Sequence, residues 1–243
     1  MTSATLAAGN NFEYVTERTG FQDSTELLLG SPFDYAANAL LCIPEDMPEP
    51  NSPNYQDAIN KAITSSVMAS QGKAMALFTS YSALNKTYKD IKETLNSHDI
   101  QVLAQGIDGN PNKIVSLFQK NPRTLLLGTS SFWEGVDLPG ESLQLLLLTR
   151  LPFNVPTDPI FAARSDWFQE PFKEYAIPQA IIRLRQGFGR LIRTETDRGV
   201  AVILDKRILS KNYGKAFLKS IPPARLVKTE IIEMTDIIKQ FLG

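Results

Sequence analysis

Three runs in this chain are apolar at almost every position and short enough to be strands: residues 74–79 (AMALFT), 143–149 (LQLLLLT) and 199–204 (GVAVIL). A strand with one wet face alternates apolar and polar residues, whereas a strand that is apolar on both faces must be covered on both. Between such runs the spacing turns helical. Ile59, Ile63, Val67 and Met68 recur at helical intervals in residues 55–71, which stop at Gly72, and Leu84, Tyr88, Ile91 and Leu95 do so in residues 80–95. Further strands are expected at 26–33, 38–43, 100–104 and 124–127, and further helices at 112–119, 158–168, 178–193 and from about Glu230. Residues 45–53 (EDMPEPNSP) read as a loop. Strands alternating with helices predict an α/β fold, a parallel sheet with helices on both faces. With 243 residues, 43% of them hydrophobic, the chain can fill one large domain of this kind.

Several chemistries are set aside by what is scarce. A single cysteine allows neither a disulfide framework nor a thiolate metal cluster, and Cys42, inside NALLCI, reads as a buried strand residue. The only histidine, His98, lies in a polar turn, so histidine catalysis is not expected, and no metal site is assigned. No apolar run reaches bilayer length and no signal segment opens the chain, which points to a cytoplasmic protein without a membrane partner. The opening, MTSATLAAGNNFEYVTERTG, reads as cut from something longer. With a net charge of −1, a nucleic acid would have to be met by a local basic patch. No G-x-x-x-x-G-K-[ST] occurs, so a triphosphate cannot be gripped in the P-loop manner.

Chemistry is expected outside the carboxyl ends of the strands. Residues 179–193 (QAIIRLRQGFGRLIR) place Ile181, Leu184, Phe188 and Leu191 on one side of a helix and Gln186, Arg190 and Arg193 on the other. A solvated basic face is one reading. Gly187 and Gly189, each costing roughly 1 kcal/mol against alanine in a helix, favour a ligand that approaches the backbone, with an anion suited to the arginines. Residues 77–84 (LFTSYSAL) pass from strand to helix at Thr79 and Ser80, with Ser82 as the expected N-cap, a place for a phosphate or for plain capping. Residues 128–140 (GTSSFWEGVDLPG) form a long loop in which Thr129, Ser130 and Ser131 could donate to a phosphate, while Trp133 could stack on a base or enter the core. Asp205 follows an apolar run as a magnesium-binding aspartate would, but reads better as the end of a strand.

In order and spacing these segments resemble superfamily 2 helicases of the DinG/XPD type. Residues 186–193 resemble motif VI, Q-x-x-G-R-x-x-R; residues 128–140, with Glu134-Gly135-Val136-Asp137, resemble motif V; residues 77–81 resemble motif IV; residues 3–5 (SAT) resemble motif III. Residues 151–160 (LPFNVPTDPI) are similar to the segment that follows motif V in DinG proteins. The resemblance implies a RecA-like second motor lobe at 36–243, with 1–35 as the tail of a first lobe and the inter-lobe connection. ATP and Mg2+ would be held only together with that first lobe, which carries the P-loop. Arg190 and Arg193 would reach the phosphates, Arg193 as the arginine finger, beside Gly189, with Gln186 orienting the attacking water or the γ-phosphate. Glu134, Gly135 and Asp137 would couple nucleotide to strand. Thr79, Ser80, Thr129, Ser130 and Trp133 would line a single-stranded DNA track. The resemblance leaves open an iron–sulfur cluster and an N-terminal nuclease domain elsewhere in a parent protein, and this chain alone is expected to be inactive. Two other readings stay open: a self-sufficient phosphate-handling enzyme using Asp205 and the loop at Gly128, and a non-catalytic nucleic-acid or protein interaction module of RecA-like fold.

Overall fold

The computed structural model describes residues 7, 12–21, 23–129, 132 and 143–243. The motif III segment at 3–5 and the loop residues Ser130, Ser131, Trp133, Glu134, Gly135 and Asp137 lie outside them.

The expected continuous apolar strands form one parallel sheet. Its strands are β1 (Ala39–Pro44), β2 (Ala74–Leu77), β3 (Gln101–Ala104), β4 (Thr124–Gly128), β5 (Leu145–Leu148), β6 (Gly199–Ile203) and β7 (Arg225–Thr229). They lie in the order β3-β4-β2-β5-β6-β1-β7, and every pairing is parallel. Successive residues feed opposite cores. Leu40, Cys42, Leu145, Leu147, Val200 and Val202 pack under α3 (Tyr55–Ser70), α4 (Tyr81–Asn96) and α10 (Ile231–Leu242). Leu41, Ile43, Leu146, Leu148, Ala201 and Ile203 pack under α5 (Pro111–Lys120), α7 (Ile177–Phe188) and α9 (Gly214–Ser220). Both faces of the inner strands are thus dry, which is why those strands carry no alternation. Burial pushes the Cys42 thiol up to about 12, the behaviour of a packed side chain.

Shorter helices fill the connections: α1 (Glu13–Thr19), α2 (Tyr35–Asn38), α6 (Pro159–Ser165), a π-helical turn (Phe172–Ala176) and α8 (Arg207–Ser210). Three expectations are corrected. Residues 26–33 form no strand: Leu27 and Leu29 stand 74% and 75% exposed, because no described strand offers them a ladder. The edge strand β7 replaces them. Arg225 and Lys228 disguise it as a loop, and only its register with β1, from Leu40 opposite Arg225 to Pro44 opposite Thr229, makes it a strand. Finally, α7 stops at Phe188 and does not run on to Arg193.

Candidate functional site

The expected apolar face of α7 is buried in full: Ile181, Leu184 and Phe188, with Leu191 just beyond the helix. After Phe188 the chain tightens into short turns, Arg190 N donating to Gly187 O (3.2 Å) and Leu191 N to Phe188 O (3.0 Å). Leu191 then packs flat on the start of β6. A Cβ on Gly199 would lie 2.4 Å from Leu191 Cδ1 and 3.1 Å from Gln144 O, so only glycine permits that approach. The next turn is closed by a buried carboxylate: Asp197 Oδ2 accepts from Arg193 N (2.7 Å) and Thr194 N (2.8 Å).

This changes the geometry of the motif VI side chains. Gln186 alone sits on the helix, while Arg190 and Arg193 sit on the turn that follows. Arg190, expected to reach the phosphates, is only 6% exposed, and Arg193 is half-buried. Gln186 Oε1 is buried and accepts no hydrogen bond from any described residue. A buried amide oxygen left so costs about 1–3 kcal/mol. Gly189 is exposed and adopts ordinary helical angles, φ −63 and ψ −5, so its backbone conformation does not require glycine. Arg185, next along, is held below the ordinary arginine pKa by burial, opposed by Tyr35, and donates to the Ala7 carbonyl.

A cleft of about 280 Å3 opens beyond the carboxyl ends of β2, β4 and β5. It brings together Thr79, Ser80 and Thr129, as expected, and adds Tyr81, Phe153, Asn154, Val155 and Arg183. Ser80 caps the sixteen-residue helix α4, its hydroxyl accepting from Ala83 N (3.3 Å), which corrects the expected cap at Ser82. The amino end of α4 thereby faces the cleft with its unpaired N–H groups and positive dipole end. Thr129 differs from expectation. It is buried, and both its N–H (2.8 Å) and its hydroxyl (3.0 Å) donate to Gln105 Oε1, so neither donor is left for a phosphate. Phe132 is buried behind it against Gly128, where a Cβ would lie 2.7 Å away.

The far wall, residues 151–155, is pinned from two sides. Leu151 N donates to Asp205 Oδ2 (2.8 Å), and that carboxylate, 0% exposed, is gripped by Arg207 through Nε (2.9 Å to Oδ1) and Nη2 (2.6 Å to Oδ2). Asp205 is therefore a structural anchor. Arg183 donates to Asn154 Oδ1, and Asn154 donates to Gln179 Oε1. Gln179, Arg183 and Gln186 share one face of α7 at i, i+4, i+7 spacing, so the helix that carries Gln186 also walls the cleft. Among the described residues, no three His, Cys, Asp or Glu side chains gather as a metal site, and they do not by themselves fit Mg2+; the one cysteine, Cys42, cannot hold an iron–sulfur cluster.

Such a parallel sheet, with a cleft at its carboxyl edge and the Q-x-x-G-R-x-x-R run at a helix end, suits a helicase lobe, and a family model for the helicase C-terminal domain matches residues 63–224. The chain belongs to that family. This helicase C-terminal domain is 39% identical over 225 residues to the ATP-dependent DNA helicase YoaA of Haemophilus influenzae, covering 91% of this chain and 34% of that protein. Over 246 residues it is 36% identical to a Bacillus subtilis protein named 3'-5' exonuclease DinG, covering 97% of this chain and 26% of that one. Its fold is RecA-like. An XPD helicase structure superposes with a TM-score of 0.61 at 18% identity, over 79% of this chain and 35% of that one. The C-terminal domain of the DEAD-box protein Dbp5 does so with a TM-score of 0.54 at 15% identity, over 85% and 98%. The helicase domain spans about a third or less of the length of the curated relatives it matches.

Proposed function

We propose that the chain is the second motor lobe of an ATP-dependent DNA helicase, cytoplasmic, with residues 1–35 as the tail of the first lobe and the connection and 36–243 as the lobe itself. The observation that supports this reading is α7, one helix with Arg183 on the cleft and Gln186 beside the arginine turn. Hydrolysis of ATP between lobes needs positive charge on the transferring phosphoryl oxygens and an oriented water. Arg193, half-buried and with its backbone clamped by Asp197, supplies the arginine finger to a nucleotide whose magnesium and P-loop belong to the first lobe. Gln186 offers its unsatisfied Oε1 as the acceptor for the attacking water, or its Nε2 as a donor to the γ-phosphate. Arg190, being buried, reaches the phosphates only if lobe closure reshapes the turn. Gly189 lets the nucleotide approach the backbone, and Glu134, Gly135 and Asp137 link the two sites. Single-stranded DNA runs along Thr79, Ser80, Ser130 and Trp133, with Thr129 supporting the track through Gln105.

The test is the DNA-stimulated ATPase of the full-length protein. Arg193→Ala is expected to lower it by about a thousandfold or more, the usual worth of an arginine finger, with the melting temperature and DNA binding kept. Unchanged turnover in a folded variant overturns the motor reading and favours a docking surface. Turnover by the 243-residue chain alone would equally overturn it.

A further inference from the structure

We infer that Tyr81 is a base-stacking platform of the cleft and that Gln105 is the positioning residue that holds its ring. This rests on the cleft taking single-stranded DNA, and it names a contact that the strand reading leaves unassigned.

Tyr81 begins α4 and is 51% exposed, yet its hydroxyl accepts a hydrogen bond from Gln105 Nε2 (2.7 Å). Gln105 is itself 6% exposed, and its other amide atom takes both donors of Thr129. One buried amide therefore ties together the ends of β3 and β4 and the start of α4. Gly106, at φ +80, turns beside the ring, where a Cβ would meet Tyr81 Cε1 only at an ordinary contact distance of 3.8 Å. An aromatic left half in solvent adds little to the core, so a tether of this quality serves orientation, the preorganisation that cuts the entropy lost on binding.

The surroundings select the ligand. The ring shares the cleft with the Ser80 hydroxyl and the amino end of α4, which suit a phosphate, and with Arg183, whose charge is set against Asp158, a carboxylate of the same lining engaged by Phe161 N. Phe153 and Val155 supply an apolar wall. An aromatic face beside phosphate-binding groups is the arrangement by which single strands are held without reading their sequence.

The decisive measurement is binding of the 243-residue chain to an oligodeoxythymidylate and to an abasic strand with the same number of phosphates. The intact chain is expected to bind the thymidylate about tenfold tighter, the scale of one stacked base. Tyr81→Leu should erase that preference by weakening thymidylate binding alone, and Tyr81→Phe, which keeps the ring but loses the tether, should erase part of it. In a double-mutant cycle read on the ratio of thymidylate to abasic binding, in which the Thr129 support common to both strands cancels, Gln105→Leu should add nothing to Tyr81→Phe. Equal binding of both strands by the intact chain, or a preference that survives Tyr81→Leu, overturns the platform while leaving the track in place. Additive effects of Tyr81→Phe and Gln105→Leu overturn the positioning role. Failure to bind either strand overturns the track reading itself.

Discussion

Gln186 separates a structural from a catalytic side chain more cleanly than any arginine nearby. Its buried Oε1 without a donor is a local debit for the isolated fold. Gln186→Leu should therefore leave the melting temperature unchanged or raise it, by a gain of up to about 2 kcal/mol in stability, while lowering the ATPase of the full-length protein. A variant that melts early with normal turnover would show that the amide serves the fold. The same scale sorts the aspartates. Asp205, read from sequence as a magnesium ligand or a strand end, is gripped by Arg207 and holds Leu151. Asp197, which the sequence reading passed over, closes the turn on which Arg193 sits. A signal for it was present in the run of polar residues before β6, where a carboxylate four residues after an arginine can cap the preceding turn.

At the scale of elements, α7 matters most. Its apolar spacing was readable and its buried face is the one expected, but its end was not. Periodicity continues through Leu191 whether the backbone is helical or folded into tight turns, because both return residues to the same side every three or four positions. What stops the helix is Leu191 settling on Gly199 and Asp197 taking the next N–H groups, contacts from outside the segment. Gly189 tests the claim that a ligand nears this backbone. At helical angles, with the nearest neighbour to an added Cβ being Arg185 O at 3.2 Å, Gly189→Ala should change stability by about 1 kcal/mol or less. If nucleotide approaches there, the same change should raise the KM for ATP of the full-length protein. An unaltered KM would remove the glycine from the site. β7 and residues 26–33 show the complementary failure: pairing chose the charged segment over the apolar one.

For the whole molecule, a net charge of −1 means that any DNA affinity comes from the cleft and not from the overall field. Binding of a single strand should weaken steeply with salt, and Arg183→Ala should reduce the slope of log affinity against log salt by about 0.7, the value of one phosphate contact on a single strand. An unchanged slope would place the phosphates elsewhere. By itself the sequence determined the parallel sheet covered on both faces, the apolar side of α7 and the gathering of Thr79, Ser80 and Thr129 at one edge, since these follow from periodicity and from where strands end. Tertiary structure alone decided that Thr129 gives both donors to Gln105, that Arg190 is buried and that Tyr81 is held in the cleft. The two Gln105 contacts join residues 24 apart in the chain, and a hydrogen bond across such a separation leaves no periodic trace in the sequence that makes it.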